Sequence, residues 1–170
     1  MMSLTEKMFK EIQKELPETF EMPQIAVVDF EKQGLNNNAT GGYLQSSGML
    51  LINSKYDTKQ KILEFVNKKQ GCFANTTEYA PFLHELGHKF YYDAIEKLAS
   101  KDKISYSKAK NKIDYKVYRY IESKNDDRFL AKNISRYADT QEVTEICAEA
   151  FSVRENNEIA KIIISLIGDD

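Results

Sequence analysis

Apolar residues recur every four positions at Leu4, Met8, Ile12 and Leu16, and the run stops at Pro17. This spacing lines one face of a helix, so residues 4–16 are predicted to form an amphipathic helix whose stripe packs on a core. The stretch Gln24-Ile25-Ala26-Val27-Val28-Asp29-Phe30 is rich in β-branched residues and predicts a strand. Residues 34–42, built from asparagine and glycine, read as a flexible loop. Two short apolar runs, 43–45 and 49–52, flank Ser46-Ser47-Gly48 and predict a hairpin. An open edge of such a sheet can take up an extended peptide as one more strand.

Downstream the period changes to that of helices. Asp57 is placed to cap a helix running through Ile62, Leu63, Phe65 and Val66 to about Lys69, with Gly71 ending it. Thr76 or Thr77 is placed to cap the next, in which Pro81 falls in the first turn and Tyr91, Tyr92, Ile95 and Leu98 carry the apolar face to Ala99. Ile113, Val117, Tyr118, Tyr120 and Ile121 predict a further helix within residues 101–124, and residues 126–134 a short helix or turn. Thr140 is placed to cap a helix from about Gln141 to Arg154. Residues 158–167 form a terminal apolar helix stopped at Gly168 and too short to span a bilayer. The order of these signals permits an α+β fold, a small, mostly antiparallel sheet packed with several helices, in one domain over residues 1–170.

The chemistry lies in Pro81-Phe82-Leu83-His84-Glu85-Leu86-Gly87-His88. On a helix, His84 and His88 project one above the other and can share one metal ion, while Glu85 is turned about 100° away, near enough to reach a bound water. His-Glu-x-x-His on a helix thus reads as two zinc ligands plus a general base. The bland alternative is an amphipathic core helix whose histidines bond only to neighbours. A catalytic zinc needs a third protein ligand. Glu145 and Glu149 fall on one helical face among Ile146, Ala148, Ala150 and Phe151, where unpaired carboxylates would be costly and a metal with its histidines would satisfy both.

His-Glu-Leu-Gly-His, followed by Ser-x-Tyr-Ala at residues 135–138 and Glu-x-x-Ala-Glu-Ala-Phe at 145–151, resembles the anthrax lethal factor-type zinc metallopeptidases, a group that includes the Pro-Pro endopeptidases and has relatives in phage-encoded and toxin-like proteins. The resemblance spans roughly residues 40 to 152. It implies a zincin-like metallopeptidase domain in which Glu145 is the third zinc ligand. Glu149 would hold a histidine ligand from behind, and Tyr137 would face the metal and assist the tetrahedral intermediate. Tyr137 stands eight residues ahead of Glu145, about one more than that family's usual spacing. A strand near residues 43–52 would form the upper edge of the cleft. Cys72 is a rival third ligand, as in the peptide deformylases, although Gln70-Gly71-Cys72-Phe73 lacks that group's usual run.

Composition narrows the partners. With 24 basic and 26 acidic residues the net charge is −2, so no electrostatic footprint argues for nucleic acid or an anionic membrane. Lys103, Lys108, Lys110, Lys112, Lys116 and Lys124 read as a solvated face, with Tyr115 or Tyr118 available to contact peptide. Cys72 and Cys147 are too few for a disulfide framework and read as free thiols. The polar start, residues 1–7, has no apolar signal region, which makes the cytoplasm the default location. The reading is a zinc-dependent peptidase acting on peptide or protein. The alternative is an inactive zincin-like structural or binding domain of a phage or toxin-type assembly.

Overall fold

A computed structural model describes residues 3–140 and 142–168. The first helix, α1 (Leu4–Glu15), starts at Ser3, whose hydroxyl accepts the Glu6 N–H at 3.2 Å while the Glu6 carboxylate accepts the Ser3 N–H at 2.6 Å. This reciprocal cap satisfies two amides that have no partner within the helix. Met8, Phe9 and Ile12 are buried, and Leu16 turns extended ahead of Pro17, whose ring disfavours helix at the residue before it.

Three strands follow: β1 (Gln24–Val28), β2 (Gly41–Leu44) and β3 (Met49–Asn53), in the spatial order β1-β3-β2. The hairpin forms as predicted, closed by Gly48 at φ +64°. The sheet is nevertheless mixed rather than mostly antiparallel, because β1 pairs parallel with β3, Ile25 opposite Leu50 and Val27 opposite Ile52. The hairpin fixes β2 on one side of β3, so the remaining edge of β3 is the one that β1 can join, and β1 runs in the same direction. Leu50 and Ile52 are fully buried, which is why β3 takes the centre. β1 also stops short of Phe30, because the Asp29 carboxylate accepts the Lys32 N–H and draws the chain into a turn.

The helices are α2 (Lys59–Lys68), α3 (Ala80–Asp102), α4 (Tyr106–Glu122), α5 (Phe129–Asn133), α6 (Val143–Val153) and α7 (Glu158–Gly168). Their spans follow the apolar period, but three caps differ from expectation. Thr58, not Asp57, caps α2, since its hydroxyl accepts the Lys61 N–H while Asp57 pairs with the Lys61 ammonium instead. Tyr79 stands at the cap of α3, with Thr77 two residues too early and engaged with the Tyr79 N–H. Glu142 rather than Thr140 precedes α6, because residues 138–140 form a separate 3-10 turn. The expected start of that helix at Gln141 lies outside the described residues. Among the described residues no helix is long and apolar enough to cross a membrane.

Two apolar clusters result. One joins α1, β3, α2 and the first turns of α3 through Met8, Leu50, Ile62 and Leu86, and the other joins the rest of α3 to α4, α5, α6 and α7 through Ile95, Ile113, Ile146 and Ile163. α3 threads both. At their seam Gly87 lets α6 come close: a Cβ there would stand 2.6 Å from the Ala148 Cα and 3.0 Å from its carbonyl oxygen. The glycine thus sets the spacing between α3 and α6.

Candidate metal centre

The helical period of α3 stacks His84 over His88, with ring centroids 4.9 Å apart, and α6 lies across them. Both imidazoles are held from behind. His84 Nδ1 donates to Glu149 Oε1 at 2.7 Å, and His88 Nδ1 lies 2.8 Å from Thr144 Oγ1. With Nδ1 so engaged, the Nε2 lone pairs face the space in front of α6.

Into that space comes Glu145. Its Oε2 is 3.3 Å from His84 Nε2 and 3.6 Å from His88 Nε2, and it is buried with no hydrogen-bond partner among the described residues. One donor atom from each of the three residues falls within 4.8 Å of the others. Ligands about 2.0–2.1 Å from a tetrahedral zinc lie roughly 3.3–3.4 Å from one another, so the spacing suits that ion. A buried carboxylate oxygen without a donor is costly, and a cation at the centre of the three atoms removes that cost. Two neutral imidazoles and a carboxylate are a donor set zinc accepts.

Electrostatics agree with the geometry. Burial works against a charged His84, but the carboxylates of Glu145, Glu149 and Glu85 outweigh it and push its pKa up to about 10. His88, with both burial and charged His84 against it, is pushed down to about 4. Glu145 is lowered: burial would raise it, and the two histidines prevail. When no ion lies between the donors, a proton on His84 Nε2 supplies the positive charge that Glu145 and Glu149 call for, and a metal bound by the neutral imidazoles would displace that proton.

Glu149 is 1% exposed and fully engaged: besides His84, its Oε2 accepts the Ala74 N–H at 2.6 Å and the Ser135 hydroxyl at 2.8 Å. Ser135 Oγ accepts the Ala138 N–H in turn, which ties the segment before Tyr137 to the same carboxylate. Glu85 points toward the sheet, where its Oε2 accepts the Tyr43 N–H at 2.9 Å. Burial raises its pKa, against the pull of His84 and of that N–H. Its carboxyl group therefore holds a proton more readily than an exposed one.

Tyr137 packs with its ring 5.6 Å from His84 and 5.6 Å from Phe73 and is 38% exposed. Burial and the surrounding carboxylates raise its phenol, which stays protonated and able to donate. His84, Glu85 and Tyr137 line a cavity of about 240 Å³ together with Thr40, Gly41, Phe65, Lys69 and Phe73. A larger hollow of about 850 Å³, between the 17–21 turn, α3 and α7, contains none of these groups.

Other candidates fall away. Cys72 lies outside the cluster of metal-ligating groups, its thiol 3.9 Å from an Arg136 nitrogen and its carbonyl bonded to the Tyr137 N–H. The turn at Gly71, φ +74°, carries it to that position. Cys147 is buried against the Gly87 carbonyl, with its thiol pushed up by burial. Neither Tyr115 nor Tyr118 lines the cavity, and Tyr115 is 65% exposed. Sequence reasoning missed Thr144, the Ala74 and Tyr43 amides, Phe73 and Lys69. Of these, only Thr144 carried a signal, as a hydroxyl next to Glu145 in an apolar helix.

No family model, curated protein or solved structure matches the chain.

Proposed function

We propose that the chain is a zinc-dependent metallopeptidase with a zincin-like arrangement of helix and edge strand. The reading is carried by Glu145 Oε2, a buried carboxylate oxygen without a hydrogen-bond partner that sits 3.3 and 3.6 Å from the two histidine Nε2 atoms. His84, His88 and Glu145 would hold the ion, and Glu149 and Thr144 would orient the imidazoles. Zinc bound there supplies Lewis acidity to a water and to the scissile carbonyl.

The protein's own groups then have distinct work. Glu85 takes the proton of the attacking water and passes it to the leaving amine, a role that its burial favours by raising its affinity for the proton. The Tyr43 N–H holds Glu85 in place. The protonated Tyr137 phenol donates to the oxygen on which negative charge develops. β2 is an edge strand beside α3. Thr40 faces β3, since its carbonyl accepts the Asn53 N–H, so alternation turns the backbone of Gly41 outward, where an extended peptide can pair with it.

The test is Glu85→Gln. The variant keeps one zinc per chain and its fold, while turnover of a peptide library falls by about 10²–10⁴. Equal turnover by wild type and variant, or none by either, would refute the reading.

A further inference from the structure

One side chain in the cavity beside the metal centre has no part in this mechanism. Lys69, at the end of α2, lines the same cavity as His84, Glu85 and Tyr137 and is its one lysine or arginine among the described residues. Its ammonium lies over the Phe65 ring, 4.6 Å from the centroid, and over the Phe73 ring at 5.7 Å. Those rings stack 6.1 Å apart, and Phe73 is in turn 6.3 Å from the His84 ring. One aromatic ring therefore separates the charge from a metal ligand.

The cradle holds the ammonium without neutralising it. Earlier in the same helix Lys59 pairs with Glu78, and Lys61 with Asp57, whereas no carboxylate among the described residues pairs with Lys69. Aromatic faces attract a cation but leave its ion-pairing capacity open. Phe65, Val66, Phe73 and Pro81 give the cavity an apolar lining, and Asn36 and Asn38 add amides to it. A partly apolar lining with an exposed cation and amide groups at its margin matches a short aliphatic group that ends in a carboxylate. The steps of 5.7 Å from the ammonium to Phe73 and 6.3 Å from Phe73 to His84 put the charge no more than about 12 Å from that ring, a distance that one or two residues of extended peptide at roughly 3.3 Å each and an acidic side chain can cover.

We propose that this cavity selects substrates bearing a carboxylate within one or two residues of the scissile bond, and that Lys69 reads it. The inference rests on the peptidase reading. Both an acidic side chain and the free carboxylate at the end of a peptide supply this chemistry.

Peptides that differ only by Glu, Gln or Lys at each position around the cleaved bond separate the possibilities. One series is C-terminally amidated, and a second ends as a free acid at that position. Cleavage is measured with wild type, Lys69→Gln and Lys69→Glu, and binding by calorimetry on zinc-loaded Glu85→Gln protein with and without the Lys69 changes. The expected result is a preference of about tenfold for Glu over Gln at one position, abolished in Lys69→Gln and inverted towards Lys in Lys69→Glu. If the preference appears only in the free-acid series, the carboxylate read is a peptide terminus; in the amidated series, a side chain. Cleavage with equal rates for Glu, Gln and Lys in all three proteins overturns the carboxylate pocket and leaves the peptidase standing. Neither cleavage nor binding of any peptide overturns both.

Discussion

The floor of the site and its rim are built differently. The floor is the contact of α3 with α6, where Gly87 lies against the Ala148 backbone and Glu149, almost wholly buried, has its carboxylate bonded on both oxygens. The rim is Tyr137, Phe73 and Lys69, whose side chains are held by ring contacts and open to solvent in part, together with the 36–41 segment, which Asn53 ties to the sheet through the Asn37, Ala39 and Thr40 carbonyls. A metal needs donor atoms fixed to within a few tenths of an ångström, which close packing and a saturated hydrogen-bond network provide. Substrate choice needs only a shape and a charge at the right depth. The contrast implies that changes in the floor act on metal affinity and stability, whereas changes in the rim act on turnover and preference.

Judged by zinc affinity, the expected effects run from the floor outward. Gly87→Ala has the largest, because the new methyl group meets helix backbone at 2.6 Å and forces α3 and α6 apart. Overpacking of this kind costs about 3 kcal/mol, read by urea denaturation, and it spreads the ligands enough to abolish stoichiometric zinc binding. Glu149→Ala comes next. It leaves the Ala74 N–H, the Ser135 hydroxyl and the His84 Nδ1–H without their acceptor, and zinc affinity in a competition titration should drop about 10–100-fold.

Thr144→Val removes the one partner of His88 Nδ1 among the described residues and keeps the shape of the side chain. The loss of one hydrogen bond, about 1 kcal/mol, predicts a fall in zinc affinity of about fivefold by the same titration. The smallest effect on zinc belongs to Tyr137→Phe, which touches the rim. Zinc affinity and thermal midpoint should stay at wild-type values while kcat falls about 10²-fold, a separation that a floor residue would not show. If Tyr137→Phe weakened zinc as much as Glu149→Ala, floor and rim would not be separate devices.

The floor was also the part most legible in the sequence. His84, His88, Glu145 and Glu149 repeat at a spacing of four, so a helical reading puts each pair on one face, and the two small residues Gly87 and Ala148 mark where such helices approach. Glu145 and Glu149 were conspicuous because carboxylates in an apolar helix demand partners. The rim left less trace. The Tyr43 and Ala74 amides that hold Glu85 and Glu149 are backbone groups, present at nearly every residue and therefore silent. Lys69 is one lysine among many until the fold sets it over Phe65 and Phe73.

The same limit explains the errors in the fold. The β-branched residues along 24–30 predict a strand, but its parallel direction depends on which edge of β3 the hairpin leaves open. Asp57 and Thr58 are both good caps by type, and the choice between them is made by one residue of register and by the competing Lys61 ammonium. The 3-10 turn at 138–140, which displaces Thr140 from the start of α6, begins where Ser135 Oγ accepts the Ala138 N–H, and Ser135 is itself anchored by its bond to the distant Glu149.

The central claim is that imidazoles from α3 and a carboxylate from α6 hold one cation in common, and the zinc content of the purified protein tests it most directly. Wild type should carry one zinc per molecule after dialysis against metal-free buffer, and Glu145→Ala should lose it while circular dichroism shows the helices intact. Wild type that takes up no zinc, or Glu145→Ala that keeps it at undiminished affinity, would contradict the account.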